Sequence, residues 1–161
     1  MKFTLGDLLA KASRNRRPKF HQAAAICLRT SGSGTPEALL ITSRETGRWI
    51  IPKGHIRKRE QTFICAEREA YEEAGVQGKI TRAPLGHYTY VKDREKLLSV
   101  AVHVLRVETE VYWFAERNER SKVWLHPKNA ALMVEEPELK TLLRFLGTDT
   151  EQSPLPTTEQ R

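Results

Sequence analysis

The sequence has few of the features of a secreted disulfide scaffold or a membrane protein. It contains only two cysteines, Cys27 and Cys65, in 161 residues, and their separation matches no metal-binding spacing. We expect both to be buried, reduced thiols. Residues 1–6 hold no apolar run of signal-peptide length, and no window approaches the length that spans a bilayer. These absences predict one cytoplasmic domain without a membrane partner, because the length suits a single well-buried core.

Acidic residues are in the minority, with 20 Asp and Glu against 27 Lys and Arg and a formal net charge of +7. The excess is concentrated in residues 1–20, and we predict that Arg17 and Lys19, beside the first strand, contact substrate. Such a surface attracts polyanions, either a small molecule with several phosphates or a nucleic acid. Residues 1–16 are predicted to form either a short amphipathic helix or a solvated basic arm.

One segment carries glycine and acidic residues at fixed spacing. Gly54 is followed after five residues by Glu60, and after seven more by the run Arg68-Glu69-Ala70-Tyr71-Glu72-Glu73-Ala74-Gly75-Val76. Residues 62–74 are predicted to form a helix that the next glycine ends, since glycine accepts the left-handed conformation after a last turn. Residues 54–61 are then a loop. Spacings of three and four residues place three carboxylates on one helix face: Glu69, Glu72 and Glu73.

Three carboxylates on one face repel one another unless a cation lies between them. A hard divalent ion removes the conflict, and we expect Mg²⁺, with Mn²⁺ as a substitute. Such an ion orients a diphosphate and helps to make water a nucleophile, which predicts diphosphate hydrolysis. The alternative is a solvated acidic helix face on which Arg68 pairs with a neighbouring carboxylate. The positions of Gly54 and Glu60 argue against that alternative.

The pattern G-x5-E-x7-R-E-U-x-E-E-x-G-U, where U is aliphatic, is the signature of the Nudix hydrolases, and this chain resembles that family at every fixed position. The resemblance implies that Glu69 and Glu73 are the principal metal ligands. It also implies that Glu72 is a further ligand or the base that activates water, and that the Gly54 carbonyl completes the coordination.

The resemblance also implies a structural role for other residues of the motif. Glu60 and Arg68 would form an ion pair that fixes the loop on the helix, and Gly75 would end that helix. Ala70 stands where the family more often has a bulky aliphatic residue. We interpret this alanine as a sign of close helix packing.

Apolar runs bounded by turn residues predict six strands around the central helix. They cover residues 21–29, 38–42, 49–51, 79–91, 97–107 and 121–125. Two further helices are predicted at 127–134 and 137–146, the second ended by Gly147. This order indicates a Nudix-type α/β/α sandwich around a mixed β-sheet, as a single domain at 17–147. Residues 148–161 are predicted to be a disordered tail.

The run from Trp49 to His55 resembles the branch that contains the diphosphoinositol polyphosphate phosphohydrolases and diadenosine polyphosphate hydrolases. This resemblance implies that phosphates meet Arg44, Lys53, His55 and Lys19. Arg94, in the charged turn 92–96, could reach over the site from a long hairpin. The alternative for that turn is a solvent-exposed loop without a ligand.

Substrate choice stays open between an inositol pyrophosphate and a dinucleoside polyphosphate. Glu135 and Glu136 stand where animal members of the branch present a basic residue, and they would repel a densely phosphorylated inositol. Four aromatic residues could stack on a base or belong to the core: Trp49, Tyr88, Tyr90 and Trp113. An RNA 5'-end pyrophosphohydrolase and a non-catalytic nucleic-acid-binding module are further alternatives. The complete set of glutamates favours an enzyme.

Overall fold

The computed structural model describes residues 19–148. The predicted N-terminal arm or helix, the predicted substrate residue Arg17 and nearly all of the predicted tail lie outside these residues. No helix in the described range is long and apolar enough to cross a membrane.

Residues 19–148 contain eight strands and three helices, with one helix between two groups of four strands and two helices at the end. In order they are β1 (Gln22–Thr30), β2 (Pro36–Thr42), β3 (Trp49–Ile50), β4 (Lys53–His55), α1 (Thr62–Ala74), β5 (Val76–Ile80), β6 (Gly86–Lys92), β7 (Lys96–Glu110), β8 (Lys122–Leu125), α2 (Pro127–Met133) and α3 (Pro137–Thr148).

The strands form one mixed sheet in the order β3-β2-β1-β7-β5, to which β4, β6 and β8 attach through β1, β7 and β2. The central pair, β1 and β7, is parallel, with Gln22 opposite Val100 and Leu28 opposite Arg106. All other pairs are antiparallel. A parallel pair is normally covered on both faces, and Ala23 to Cys27 of β1 are fully buried.

Alternate residues of the strands enter two different cores. Ala24, Ile26 and Leu40 belong to the core beneath α2 and α3. Their neighbours Ala25 and Leu39 belong to the core beneath α1. The predicted α/β/α sandwich around a mixed sheet, in a single domain, is therefore confirmed.

The helix α1 begins and ends where the sequence predicts. It spans Thr62–Ala74, and Gly75 follows it with φ 67° while its N–H bonds back to the carbonyls of Ala70 and Tyr71. Ala70 is fully buried in the core between α1 and the sheet, as expected for close packing. Cys27 and Cys65 are buried and free, as predicted.

Three predicted boundaries are wrong. The strand at 79–91 is divided, because β5 ends at Ile80 and β6 begins at Gly86, with a proline that cannot donate to the ladder between them. The loop at 54–61 begins later, since Gly54 pairs with Ala23 in β4. Gly147 does not end α3; it is buried within the helix, where a Cβ would lie 2.9 Å from Lys128 Cγ.

Candidate active site

An ion pair fixes the loop before α1 on the helix. Arg68 Nε donates to Glu60 Oε1 at 2.8 Å, and Nη2 donates to Glu60 Oε2 at 3.0 Å. Glu60 Oε2 also accepts a hydrogen bond from the Arg57 backbone at 2.8 Å. These bonds, chiefly those from Arg68, lower the pKa of Glu60 to about 2. The pair thus joins the loop to the middle of the helix.

Two of the three predicted carboxylates face a common cleft. Glu69 and Glu73 are 9% and 7% exposed, and both line a cleft of about 470 Å³ together with Gly54. The cleft lies between the segment 43–48 on one side and the β6–β7 hairpin on the other, with β4 and α1 beneath it. The cleft therefore contains the two carboxylates Glu69 and Glu73 of α1.

Burial changes the acidity of both carboxylates. Glu73 Oε1 accepts from Arg120 Nη2 at 3.1 Å, and Oε2 accepts from the Lys53 N–H at 3.3 Å. Desolvation nevertheless raises the pKa of Glu73 to about 7. Burial also raises the pKa of Glu69, although Arg68 Nη1 donates to it at 2.5 Å. A cation placed beside these groups would replace a proton.

Glu72 lies outside the residues that line the cleft. Its side chain is 38% exposed and contacts Arg68 Nη1 at 3.4 Å and Arg57 Nη2 at 3.6 Å. Within residues 19–148, no three His, Cys, Asp or Glu side chains are gathered so that they could hold a metal ion. Arg68 and Arg120 instead bind oxygens of Glu69 and Glu73.

The donor chemistry at the cleft nevertheless suits a hard divalent cation. Glu69 and Glu73 offer carboxylate oxygens, which such ions prefer. Gly54 leaves room for one of them, because a Cβ at position 54 would lie 2.1 Å from Glu69 Cδ and Oε1. These residues fit a metal site, and the ligand assignment made from the sequence stays a prediction.

The hairpin side of the cleft carries cations without carboxylate partners. Lys53 Nζ donates to Tyr90 Oη at 3.2 Å and lies 4.7 Å from the Tyr90 ring centroid. Tyr90 Oη in turn donates to Gln22 at 2.8 Å. No carboxylate within residues 19–148 pairs with Lys53 or with Lys92, which also lines the cleft. The lysine amines on this side of the cleft therefore have no carboxylate partner, although Asp93 of the same hairpin also lines the cleft.

His55 belongs to the same positive side. Its Nδ1 lies 3.3 Å from Gln22 Nε2. Burial lowers the pKa of His55, and the charges of Lys92, Lys96 and Lys53 lower it further. The neighbouring lysines thus disfavour the protonated, positively charged form of His55.

The arginines on the opposite side are paired with glutamates. Arg44 Nη1 lies 3.1 Å from both Glu116 and Glu119. Arg48 lies 2.7 Å from Glu136 and 3.8 Å from Glu135. Glu136 is only 6% exposed, so it acts by neutralising Arg48 and not as a free repelling charge.

Several predicted substrate residues lie elsewhere. The Lys19 carbonyl accepts from Ser99 Oγ at 3.1 Å, and its side chain is not part of the cleft lining. Arg94 occupies the hairpin turn with φ 63°, while its neighbours Lys92 and Asp93 line the cleft. Of the four aromatic candidates, Tyr90 lines the cleft, Tyr88 is buried, Trp49 packs against the core and Trp113 is 74% exposed.

Sequence reasoning did not identify four residues that line the cleft. Arg48 and Gln22 carry no motif that could have identified them. Glu116 and Arg120 lie outside the family motif, although their separation by four residues is the spacing of an ion pair on one helical turn. Arg120 Nε donates to Glu116 Oε2 at 2.8 Å.

Comparison with known proteins settles the family. The family model of the NUDIX domain matches residues 19–146, which is most of the chain. The chain belongs to the Nudix hydrolase family. This Nudix domain contains the whole cleft described above.

The curated relatives agree with the predicted branch. The diphosphoinositol polyphosphate phosphohydrolase 3-beta of Homo sapiens is 32% identical over 119 residues, covering 73% of this chain and 72% of that protein. The Bos taurus protein of the same name is 37% identical over 100 residues, 62% of this chain and 58% of its own length. A binary complex of the C. elegans Ap4A hydrolase superposes with TM-score 0.65 at 23% identity, covering 82% and 98% of the two chains. The last similarity shows a shared fold.

Proposed function

We propose that this Nudix domain hydrolyses a phosphoric anhydride in a small polyphosphorylated molecule and requires a divalent cation. The observation that carries the proposal is the shared cleft. Two buried carboxylates, Glu69 and Glu73, lie beside Gly54, and unpaired lysines lie on the hairpin side. Anhydride hydrolysis needs carboxylates that bind a cation and positively charged side chains that bind the phosphates.

The cation would be held by Glu69 and Glu73 with the Gly54 carbonyl. When bound, Mg²⁺ or Mn²⁺ supplies positive charge to phosphate oxygens and makes water beside it more acidic. The chain contributes the placement of these carboxylates. Arg68 holds Glu69 and Arg120 holds Glu73, so both side chains are fixed before a ligand arrives.

A base must accept a proton from the attacking water. Two carboxylates are candidates, Glu72 at the rim and Glu116 in the cleft lining, and their backbones are joined by a 3.1 Å bond from Glu116 N to Glu72 O. Glu116 is favoured because it lines the cleft. Arg44 and Arg120 both contact it, so its position in the cleft is fixed.

Phosphates would bind along the hairpin side. The side-chain amines of Lys53 and Lys92 present positive charge that no carboxylate within residues 19–148 pairs with, and such groups concentrate a polyanion. Tyr90 keeps Lys53 directed along the cleft through its hydroxyl and its ring.

The opposite side favours a substrate with one linear run of phosphates. There two arginines meet four glutamates, since Arg44 and Arg48 each contact two. A ring substituted with phosphates on all sides would meet no spare positive charge there. We therefore favour a nucleoside-linked polyphosphate over a diphosphoinositol polyphosphate.

An RNA 5'-end is the second candidate. The chain carries a formal charge of +7, which exceeds what a small substrate needs and suits a polyanion. A triphosphorylated RNA also ends in one linear run of phosphates, so the same cleft would admit it.

The test is a substrate panel with Mg²⁺ or Mn²⁺. It would include diadenosine polyphosphates, a diphosphoinositol polyphosphate, nucleoside diphosphate sugars and triphosphorylated RNA, with products resolved by anion exchange. We expect fastest turnover of a nucleoside-linked polyphosphate. Fastest turnover of the inositol compound would overturn the substrate choice, and no turnover of any compound would overturn the proposed activity.

A further inference from the structure

Arg120 joins two acidic side chains of the cleft that lie far apart in the chain. Its Nη2 donates to Glu73 Oε1 at 3.1 Å, and its Nε donates to Glu116 Oε2 at 2.8 Å. The Arg120 side chain is 6% exposed, against 9% for Glu73 and 19% for Glu116. A single buried guanidinium thus separates two carboxylates that line the cleft.

The position of this guanidinium is also fixed by the backbone. Arg120 Nη1 donates to the Thr42 carbonyl, at the end of β2, at 2.9 Å. Arg120 therefore contacts α1, β2 and the segment before β8 at once. Three hydrogen-bonding partners fix the position of the Arg120 side chain. A guanidinium also stays positively charged throughout the pH range in which proteins are folded.

Glu73 is buried and Glu116 is half-buried, and two such carboxylates close to one another need a cation between them. In a site that takes divalent ions, a metal could meet that need. We propose that Arg120 takes the place of one divalent ion, so that the gap between Glu73 and Glu116 is closed to metal. Ions are then restricted to the side of Glu73 that faces Glu69 and Gly54.

This inference rests on the proposed metal-dependent function, but it concerns how many ions the site admits. If Arg120 only orients Glu73, its removal weakens metal binding. If Arg120 fills a cation position, its removal creates a vacancy between two carboxylates. The number of bound ions then rises by one.

The experiment counts Mn²⁺ bound per chain, by electron paramagnetic resonance with equilibrium dialysis, in the wild type and Arg120→Met. We expect one more Mn²⁺ in Arg120→Met. Arg120→Lys, which keeps a positive charge, should hold the wild-type number. Arg44→Met is the matched control, because Arg44 contacts Glu116 at 3.1 Å and shows no contact with Glu73. It should also hold the wild-type number.

A second substitution checks the location of the additional ion. The double variant Arg120→Met, Glu116→Gln should return to the wild-type number, since it lacks one of the two carboxylates. An unchanged or lower count in Arg120→Met would overturn the inference, as would an extra ion that survives Glu116→Gln. A wild-type chain without Mn²⁺ would instead contradict the proposed metal dependence, and a count of one in Arg120→Met would still support the role of Arg120.

Arg120→Met leaves Glu73 buried without its partner, which lowers stability in the absence of metal. Thermal unfolding in EDTA and in Mn²⁺ covers this outcome. A variant that folds only when Mn²⁺ is added supports the inference, because the ion replaces the guanidinium. A variant that stays unfolded in Mn²⁺ overturns it.

Discussion

Gly54 and Glu69 lie so close together that no side chain fits at position 54. A Cβ on Gly54 would lie 2.1 Å from Glu69 Cδ and Oε1, well inside van der Waals contact. The glycine is therefore needed for the position of the carboxylate and not for an unusual backbone conformation.

Gly54→Ala should displace the Glu69 carboxylate, which is the flexible end of a side chain, and leave the fold intact. We expect turnover to fall at least about tenfold, because metal and substrate positioning depend on this group. Steady-state kinetics and a thermal unfolding curve measure the two effects. Gly32→Ala is the matched control, since nothing lies within 4 Å of that Cβ. Equal activity of the two variants would contradict the role of Gly54.

In the metal-free protein, the contribution of Glu73 to stability should fall as the pH rises from 5 to 8. Burial raises the pKa of Glu73 to about 7 in the folded state, while the unfolded carboxyl titrates near its ordinary value. Ionisation above that ordinary value therefore favours the unfolded chain, and the loss is complete above about pH 7. In Glu73→Gln this loss should be smaller, so that the decrease of the unfolding midpoint from pH 5 to pH 8 is less than in the wild type by about 3 °C or more. If the unfolding midpoints of the wild type and Glu73→Gln depend on pH in the same way in EDTA, the role of Glu73 in this pH dependence is contradicted.

A buried histidine should produce the opposite trend at lower pH. His103 is fully buried; Nδ1 donates to the Thr81 carbonyl at 2.7 Å, and Nε2 lies 2.9 Å from Thr62 Oγ1. Burial lowers the pKa of His103, so the unfolded chain takes up a proton first as the pH falls below about 6.5.

The contribution of His103 to stability should therefore fall as the pH decreases from 7 to 5, and His103→Gln should remove this contribution. Urea unfolding at both pH values measures it. His87→Gln, at an exposed histidine of β6, is the control and should keep the wild-type trend. If both variants lose this pH dependence of stability, it does not come from the burial of His103.

Lys92 should act on substrate binding rather than on the chemical step. It lines the cleft and pairs with no carboxylate in the described residues. Lys92→Met should raise KM for a polyphosphate about tenfold at low salt with little change in kcat, and added salt should narrow the difference. Lys79→Met is the control, because Lys79 is 83% exposed and pairs with Glu108 away from the cleft. A change confined to kcat would contradict a binding role.

The sequence predicted the parts of the site that depend on local spacing. Glu69 and Glu73 are one turn apart, so helical periodicity alone places both on one face, and Gly75 sets the end of that helix. Glu72 shows the limit of this reasoning, because helical spacing does not say that its side chain lies at the rim beside Arg57.

The partners of these carboxylates could not be predicted in the same way. Arg120 is 47 residues from Glu73, and Arg48 is 88 residues from Glu136. Only the sheet, through the pairing of β2 with β8, brings Arg120 to α1. Composition likewise predicts a net positive surface charge. It does not predict that the arginines on one side of the cleft pair with glutamates while the lysines on the other side do not, because this difference depends on contacts between distant residues.

The most direct measurement of the central claim is Mn²⁺-dependent product formation by Glu73→Gln beside Glu67→Gln. Both changes remove one charge from α1 with little change in volume, but only Glu73 lines the cleft. We predict that Glu73→Gln keeps the fold and loses at least about a hundredfold in turnover, while Glu67→Gln stays near the wild type. Near-normal turnover by a folded Glu73→Gln would contradict the assignment of this cleft as the active site.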